Sequence, residues 1–259
     1  PYIPANTGNF GEFGWSGIVR AAGIIFFAYI GFDAVSTAAQ EAKNPKKDMP
    51  IGILVSLAIC TVLYILFAHV MTGLANYKEF QGQDGIAPVA VAIEHTPYEW
   101  LKQAIILAIL AGYSSVILVM LLGQSRVFFS MSKDGLLPPV FSRIHPKFKT
   151  PHKSNLLFAV FVSLFAAFIP ARVVGEMTSI GTLFAFVLVC IGVLVLRKTQ
   201  PDAPRVFRTP MVPLVPILGV LFCVFMMASL PLDTWLRLMA WMAVGIGIYF
   251  WYGAKNAKF

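Results

Sequence analysis

The chain has 259 residues, of which 58% are hydrophobic and only 12% charged, with a formal net charge of +8. Soluble domains carry roughly 25% charged residues, so most of this surface cannot face water. The same figures exclude a disordered chain. An odd number of cysteines, Cys60, Cys190 and Cys223, all within apolar runs, excludes a disulfide scaffold. The solvent that suits this sequence is a lipid bilayer, and its basic residues are read by their place along the chain, not as a nucleic-acid surface.

A spanning helix needs about 20 mostly apolar residues. Seven runs qualify or nearly do: Trp15–Gln40, Ile51–Ala75, Trp100–Met131, Asn155–Pro170, Met177–Leu196, Val212–Leu230 and Thr234–Gly253. The fourth and seventh are short, and their flanks decide for them. If all seven cross, fifteen of the 20 basic residues fall in one set of loops, between Lys43 and Lys47, Arg126 and Lys153, Arg197 and Arg208, and at Lys255 and Lys258. Only Arg20, Lys78, Lys102, Arg172 and Arg237 fall in the other set. That bias is the positive-inside signal, so the N-terminal segment is expected outside and the C-terminus in the cytoplasm of a multi-pass cell-membrane protein. The chain opens on Pro1 without a Met or a basic flank, which reads as a piece of something larger and not as a signal peptide.

Within the first run, Phe27-Ala28-Tyr29-Ile30-Gly31-Phe32-Asp33 is a candidate helix break. Gly31 removes a side chain and Asp33 places a carboxylate inside an apolar segment. A break exposes carbonyls at one half-helix end and N–H groups at the other, which suit the ammonium and carboxylate of a small zwitterion. The plainer reading is close helix packing at Gly31 and a helix cap at Asp33. The turn Asn44 to Pro50 is read as a cytoplasmic turn with a helix beginning at Pro50. In the third run, Ser114 and Ser115 either line a path for a cation or simply bond the carbonyl one turn back. Met120 is either a flexible pocket wall or ordinary packing. No metal-ligand spacing, phosphate loop, nucleophile elbow or His-Glu-x-x-His motif is present, so enzyme chemistry has no foothold.

Five stretches, in order, resemble one known family. They are Phe26 to Ala34; Asn44-Pro45 with Asp48 to Gly52; Gly123 to Arg126 with Asp134 to Pro138; Ile180 to Phe186; and Gly192 through Pro210. Together they are similar to the cationic amino acid transporter branch of the amino acid–polyamine–organocation superfamily. The resemblance implies an all-α leucine-transporter-type fold of two inverted five-helix repeats plus two peripheral helices. This chain would be helices six to twelve: a single membrane domain over 1–259, with the second repeat at about 13–197 and the peripheral pair at about 212–253. The first repeat would be a missing partner. By position, the resemblance implies that the carbonyls of Phe27, Ala28 and Ile30 take the substrate ammonium beside Gly31. Phe27 would be an aromatic gate, Met120 would border the side-chain pocket, and Asp33 would couple protons. Ser114 and Ser115 fall where sodium-coupled relatives hold an ion.

The expectation is therefore a secondary active amino acid transporter, proton-coupled or exchanging, with cationic substrates suggested by the branch resembled, surrounded by lipid and needing no cofactor. Alternatives from other classes are a non-transporting fragment with an assembly role and a seven-helix receptor. A retinal protein would need a Lys in the last run, and Thr234–Gly253 has none.

Overall fold

A computed structural model describes residues 3–32, 43–81, 88–205 and 207–257, without the side chains of Gln81, Ala90 and Glu99. Each of the seven apolar runs carries a helix within that range. The helices are α1 (Gly14–Ile25), α2 (Pro45–Leu74), α3 (Pro88–Glu94), α4 (Glu99–Lys133), α5 (His152–Phe168), α6 (Ala171–Thr199), α7 (Leu214–Ala228), α8 (Leu232–Ile248) and α9 (Ala254–Asn256). No strand occurs among the described residues. At 1.5 Å per residue, α2, α4 and α6 are each about 44–53 Å long, more than a hydrocarbon core of about 30 Å requires. These three are individually long and apolar enough to cross a membrane, whereas α1 and α5 are shorter apolar helices. The helices α7 and α8 meet the same test together, with a 116° change of direction across Ser229-Leu230-Pro231. A proline that cannot donate to the preceding turn stops one helix and starts the next there.

Two boundaries differ from the sequence reading. The second long helix starts at Pro45, five residues before Pro50, because Asp48 Oδ2 accepts the Asn44 N–H at 3.2 Å and closes the first turn. The fifth run begins at Ala171, directly after Pro170, and so takes Arg172 and Glu176 into the helix instead of leaving them in a loop. The short helix α3 was not anticipated at all.

The chain divides into two compact units. One is built from α1, α6, α7 and α8. Its core is Ile180, Leu183 and Val187 of α6 against Met227, Leu230 and Leu238. Gly23 is what lets α1 approach: a Cβ there would sit 3.0 Å from Met226 O and from Ser229 Oγ. Trp235 Nε1 donates to Met227 O at 3.0 Å and ties the α7–α8 corner to itself.

The other unit holds α3, α4 and most of α2 and α5. A ring cluster lies at the end of α4. Phe128 lies 5.4 Å from Phe141 and 4.6 Å from Phe158, centroid to centroid. Ser132 donates to Pro138 O at 2.8 Å, which folds the chain back after α4. By contrast, the apolar stretches of α2 and α4 are exposed along their length, with none of the most apolar window buried within the chain. Such a surface is stable only against lipid or further protein.

Candidate functional site

The first-run helix ends where the sequence suggested. After α1, residues Phe26–Tyr29 tighten into a 3-10 turn, Ile30 is extended at φ −62° and ψ 132°, and Gly31 takes φ +129°. That last conformation is open to glycine and strained for any residue with a Cβ. Ile30 N–H donates to Phe27 O at 3.1 Å and closes the final turn. Asp33, the expected proton-coupling carboxylate, lies outside the described residues.

On the α1 side, the Phe27 backbone is held from α6. Ser179 Oγ accepts the Phe27 N–H at 3.0 Å and donates to Ile24 O at 2.8 Å. The Phe27 ring rests on Gly175, where a Cβ would come within 3.2 Å of Cε1. Phe26 packs edge-on against Phe186 at 5.9 Å. Among the expected site residues, Phe27, Ala28 and Ile30 thus share one turn in the first unit.

In the second unit, Gly31 and Met120 come together: a Cβ on Gly31 would lie 3.2 Å from Met120 Cε. The thioether therefore lies beside the open backbone at Gly31. Ser114 Oγ donates to Leu110 O and Ser115 Oγ donates to Gly112 O, both at 2.8 Å. Each hydroxyl spends its proton on its own helix and keeps its lone pairs, the only part a cation would use.

Sequence reasoning missed Glu176. It is 4% exposed, and its carboxylate accepts from Thr234 Oγ1 at 3.0 Å and Arg237 at 3.3 Å on α8 and from Arg172 at 3.1 Å on α6. The signal available was the Arg172-to-Glu176 spacing, which places both on one helix face. Starting the run at Met177 hid it. Among the described residues, no group of three His, Cys, Asp or Glu side chains is placed to hold a metal.

These features define the class first: a polytopic helical membrane protein with a glycine-dependent helix end inside an apolar segment. The chain belongs to the amino acid permease family, whose profile it matches over residues 2–249, within the amino acid–polyamine–organocation superfamily. It is 43% identical to the branched-chain amino acid permease BcaP of Bacillus subtilis over 255 residues, 98% of this chain and 54% of that protein. It is 41% identical to the methylthioribose transporter of the same organism, again over 98% of the chain and 54% of the relative. To cationic amino acid transporter 5 of Arabidopsis thaliana it is 35% identical over 97% of its length and 44% of the relative's. The chain thus spans about half the length of the curated relatives it matches. These relatives are transporters and permeases, not enzymes.

Proposed function

We propose that this chain supplies the second half of the transport core of a secondary active amino acid transporter. The observation that carries the reading is the end of α1: an extended Ile30 and a left-handed Gly31 inside an apolar run, with Met120 against the glycine. Backbone that leaves the helix inside a bilayer is tolerated where it lines a cavity, and there its polar groups are available to a zwitterion. The substrate ammonium is taken by carbonyls of the Phe27–Ile30 turn, and Phe27 closes over it. A phenyl gate suits an apolar side chain, in keeping with the branched-chain amino acids for which the BcaP relative is named. A cationic substrate is the second reading, favoured by the Arabidopsis relatives.

The protein lies in the cell membrane among lipids, with the N-terminal segment outside and the C-terminus in the cytoplasm. A further five-helix repeat supplies the other half of the site. Asp33 couples the cycle to protons, and Ser114 and Ser115 are the alternative, a sodium position.

The test is uptake by the full-length protein in liposomes. The panel is branched-chain, small neutral and cationic amino acids with methylthioribose as a further candidate, under an imposed proton or sodium gradient. Proton-driven accumulation of an amino acid, lost in Asp33→Asn while binding persists, is the expected outcome. Accumulation of none of the amino acids would sink the reading, and normal proton-driven accumulation by Asp33→Asn would remove the coupling role. Cysteine placed at Lys147 should resist an impermeant reagent applied outside, and labelling there would overturn the orientation.

A further inference from the structure

A single α6 side chain makes two bonds to the place where α1 ends. Ser179 is fully buried. Its hydroxyl donates to the carbonyl of Ile24, in the last turn of α1, and accepts the amide of Phe27, in the 3-10 turn that follows. One turn back along α6, Gly175 leaves the space into which the Phe27 ring fits. The same turn carries Glu176, bound to Thr234 and Arg237, so this stretch of α6 is itself fixed to α8. A hydroxyl buried between two backbone groups, with neither bond made to its own helix, departs from the usual habit of serine in apolar helices.

We propose that Ser179 and Gly175 are positioning residues: α6 holds the backbone of Phe27 and seats its ring, so the aromatic gate is set from α6 and not by α1 alone. Ser179 fixes where the helix stops, and Gly175 fixes where the ring points. The functional meaning of this arrangement rests on the transporter reading above, whereas the arrangement itself does not. Any shift of α6 would carry the Phe27 turn with it, because the two bonds and the ring seat lie within one turn of each other.

The experiment uses the full-length protein with Cys60, Cys190 and Cys223 replaced by serine and a reporter introduced as Ala28→Cys. Thiol labelling is followed in detergent without any amino acid. Adding Ser179→Ala removes both bonds and should speed labelling by about thirtyfold, the change in local opening that two lost hydrogen bonds of ordinary net strength bring. Ser179→Thr, which keeps the hydroxyl, should restore slow labelling. Equal rates in the parent and Ser179→Ala would overturn the hold, and so would fast labelling in both Ser179→Ala and Ser179→Thr, which would assign the effect to packing. For the ring seat, Gly175→Ala should speed labelling when Phe27 is present and leave it unchanged in Phe27→Ala, where there is no ring to displace. An equal effect in both backgrounds would overturn the seat. Uptake is measured in parallel: a protein that moves no amino acid yet shows these labelling differences would refute the transporter reading and leave the α6 hold standing.

Discussion

Two long apolar helices of this chain carry the same kinds of polar side chain and use them in opposite ways. In α6, Glu176 is buried and bonded to α8, and Ser179 is buried and bonded to α1. In α4, Ser114 and Ser115 bond their own helix, and Lys102 meets Glu94 of α3 through side chains that are 41% and 60% exposed. Residue type and helical setting are alike, so the difference comes from what lies opposite. A polar group that loses water must be repaid by a partner, and the partner then becomes a constraint on the fold. Where the group keeps its own turn or the solvent, it constrains nothing beyond itself.

The largest break in that comparison is the removal of Glu176. Glu176→Ala leaves the buried Thr234 hydroxyl and the partly buried Arg237 without their acceptor, and breaking such a group costs about 3–5 kcal/mol. Thermal unfolding in detergent should show it as the steepest loss of any single carboxylate among the described residues. Arg172→Ala, by contrast, should cost under about 1 kcal/mol, because that side chain is 76% exposed and the pair is an ordinary i,i+4 contact. Equal losses would mean that Glu176 does not hold α6 to α8.

Glycines give the next largest contrast, with opposite signs. Gly23→Ala inserts a methyl 3.0 Å from Met226 O and Ser229 Oγ, where backbone has to move. Overpacking of this kind costs about 1–3 kcal/mol. Gly112→Ala, in α4, meets nothing within 4 Å and should stabilise by about 0.5–1 kcal/mol through helix propensity. The same unfolding measurement compares both, and destabilisation by Gly112→Ala would reveal a partner helix seated on that face.

The contrast also explains what the sequence could convey. Apolar runs and loop charge gave the helices and the membrane setting, because both follow from composition along the chain. The end of the first-run helix before Gly31 was legible from a glycine amid bulky apolar residues, whereas the resemblance implied a pocket role for Met120 and not its contact with Gly31. Glu176 and Ser179 were not legible. Their partners lie on other helices, at Thr234, Arg237, Ile24 and Phe27, and no periodicity within one helix encodes a contact of that separation. The early start of α6 at Ala171 hid Glu176 for a related reason: a charged first turn looks like loop until its buried partner is known. Asp33, the most specific proposal from sequence, falls outside the described residues and is left to experiment.

A smaller effect is expected at Ser114 and Ser115. Each hydroxyl bonds a carbonyl that its own helix already pairs, so replacement by Ala should change stability by under about 0.5 kcal/mol. Uptake separates the two readings of these residues. If the pair holds sodium, Ser114→Ala with Ser115→Ala abolishes sodium dependence, and if they are only helix residues, uptake under either gradient is unchanged.

The smallest effect is the pH response of the exposed pair. The hydrogen bond from Lys102, and then its charge, hold the Glu94 carboxyl below its ordinary value of 4.5. A carboxylate depressed in the folded state contributes stability above its unfolded value and loses it as pH falls through the lower folded value. Between pH 8 and 5 the Glu94–Lys102 tie is therefore constant, and it fades only in acid below about 4.5. Because both side chains are largely in water, salt screens the tie as well. The expected result is that Glu94→Gln unfolds slightly below the parent, by the same small margin from pH 8 to 5 at low salt, and that the margin shrinks at high salt. A loss at neutral pH comparable with that of Glu176→Ala would show that α3 is clamped to α4 as firmly as α6 is to α8, and the distinction between the two helices would then fail at its weakest point.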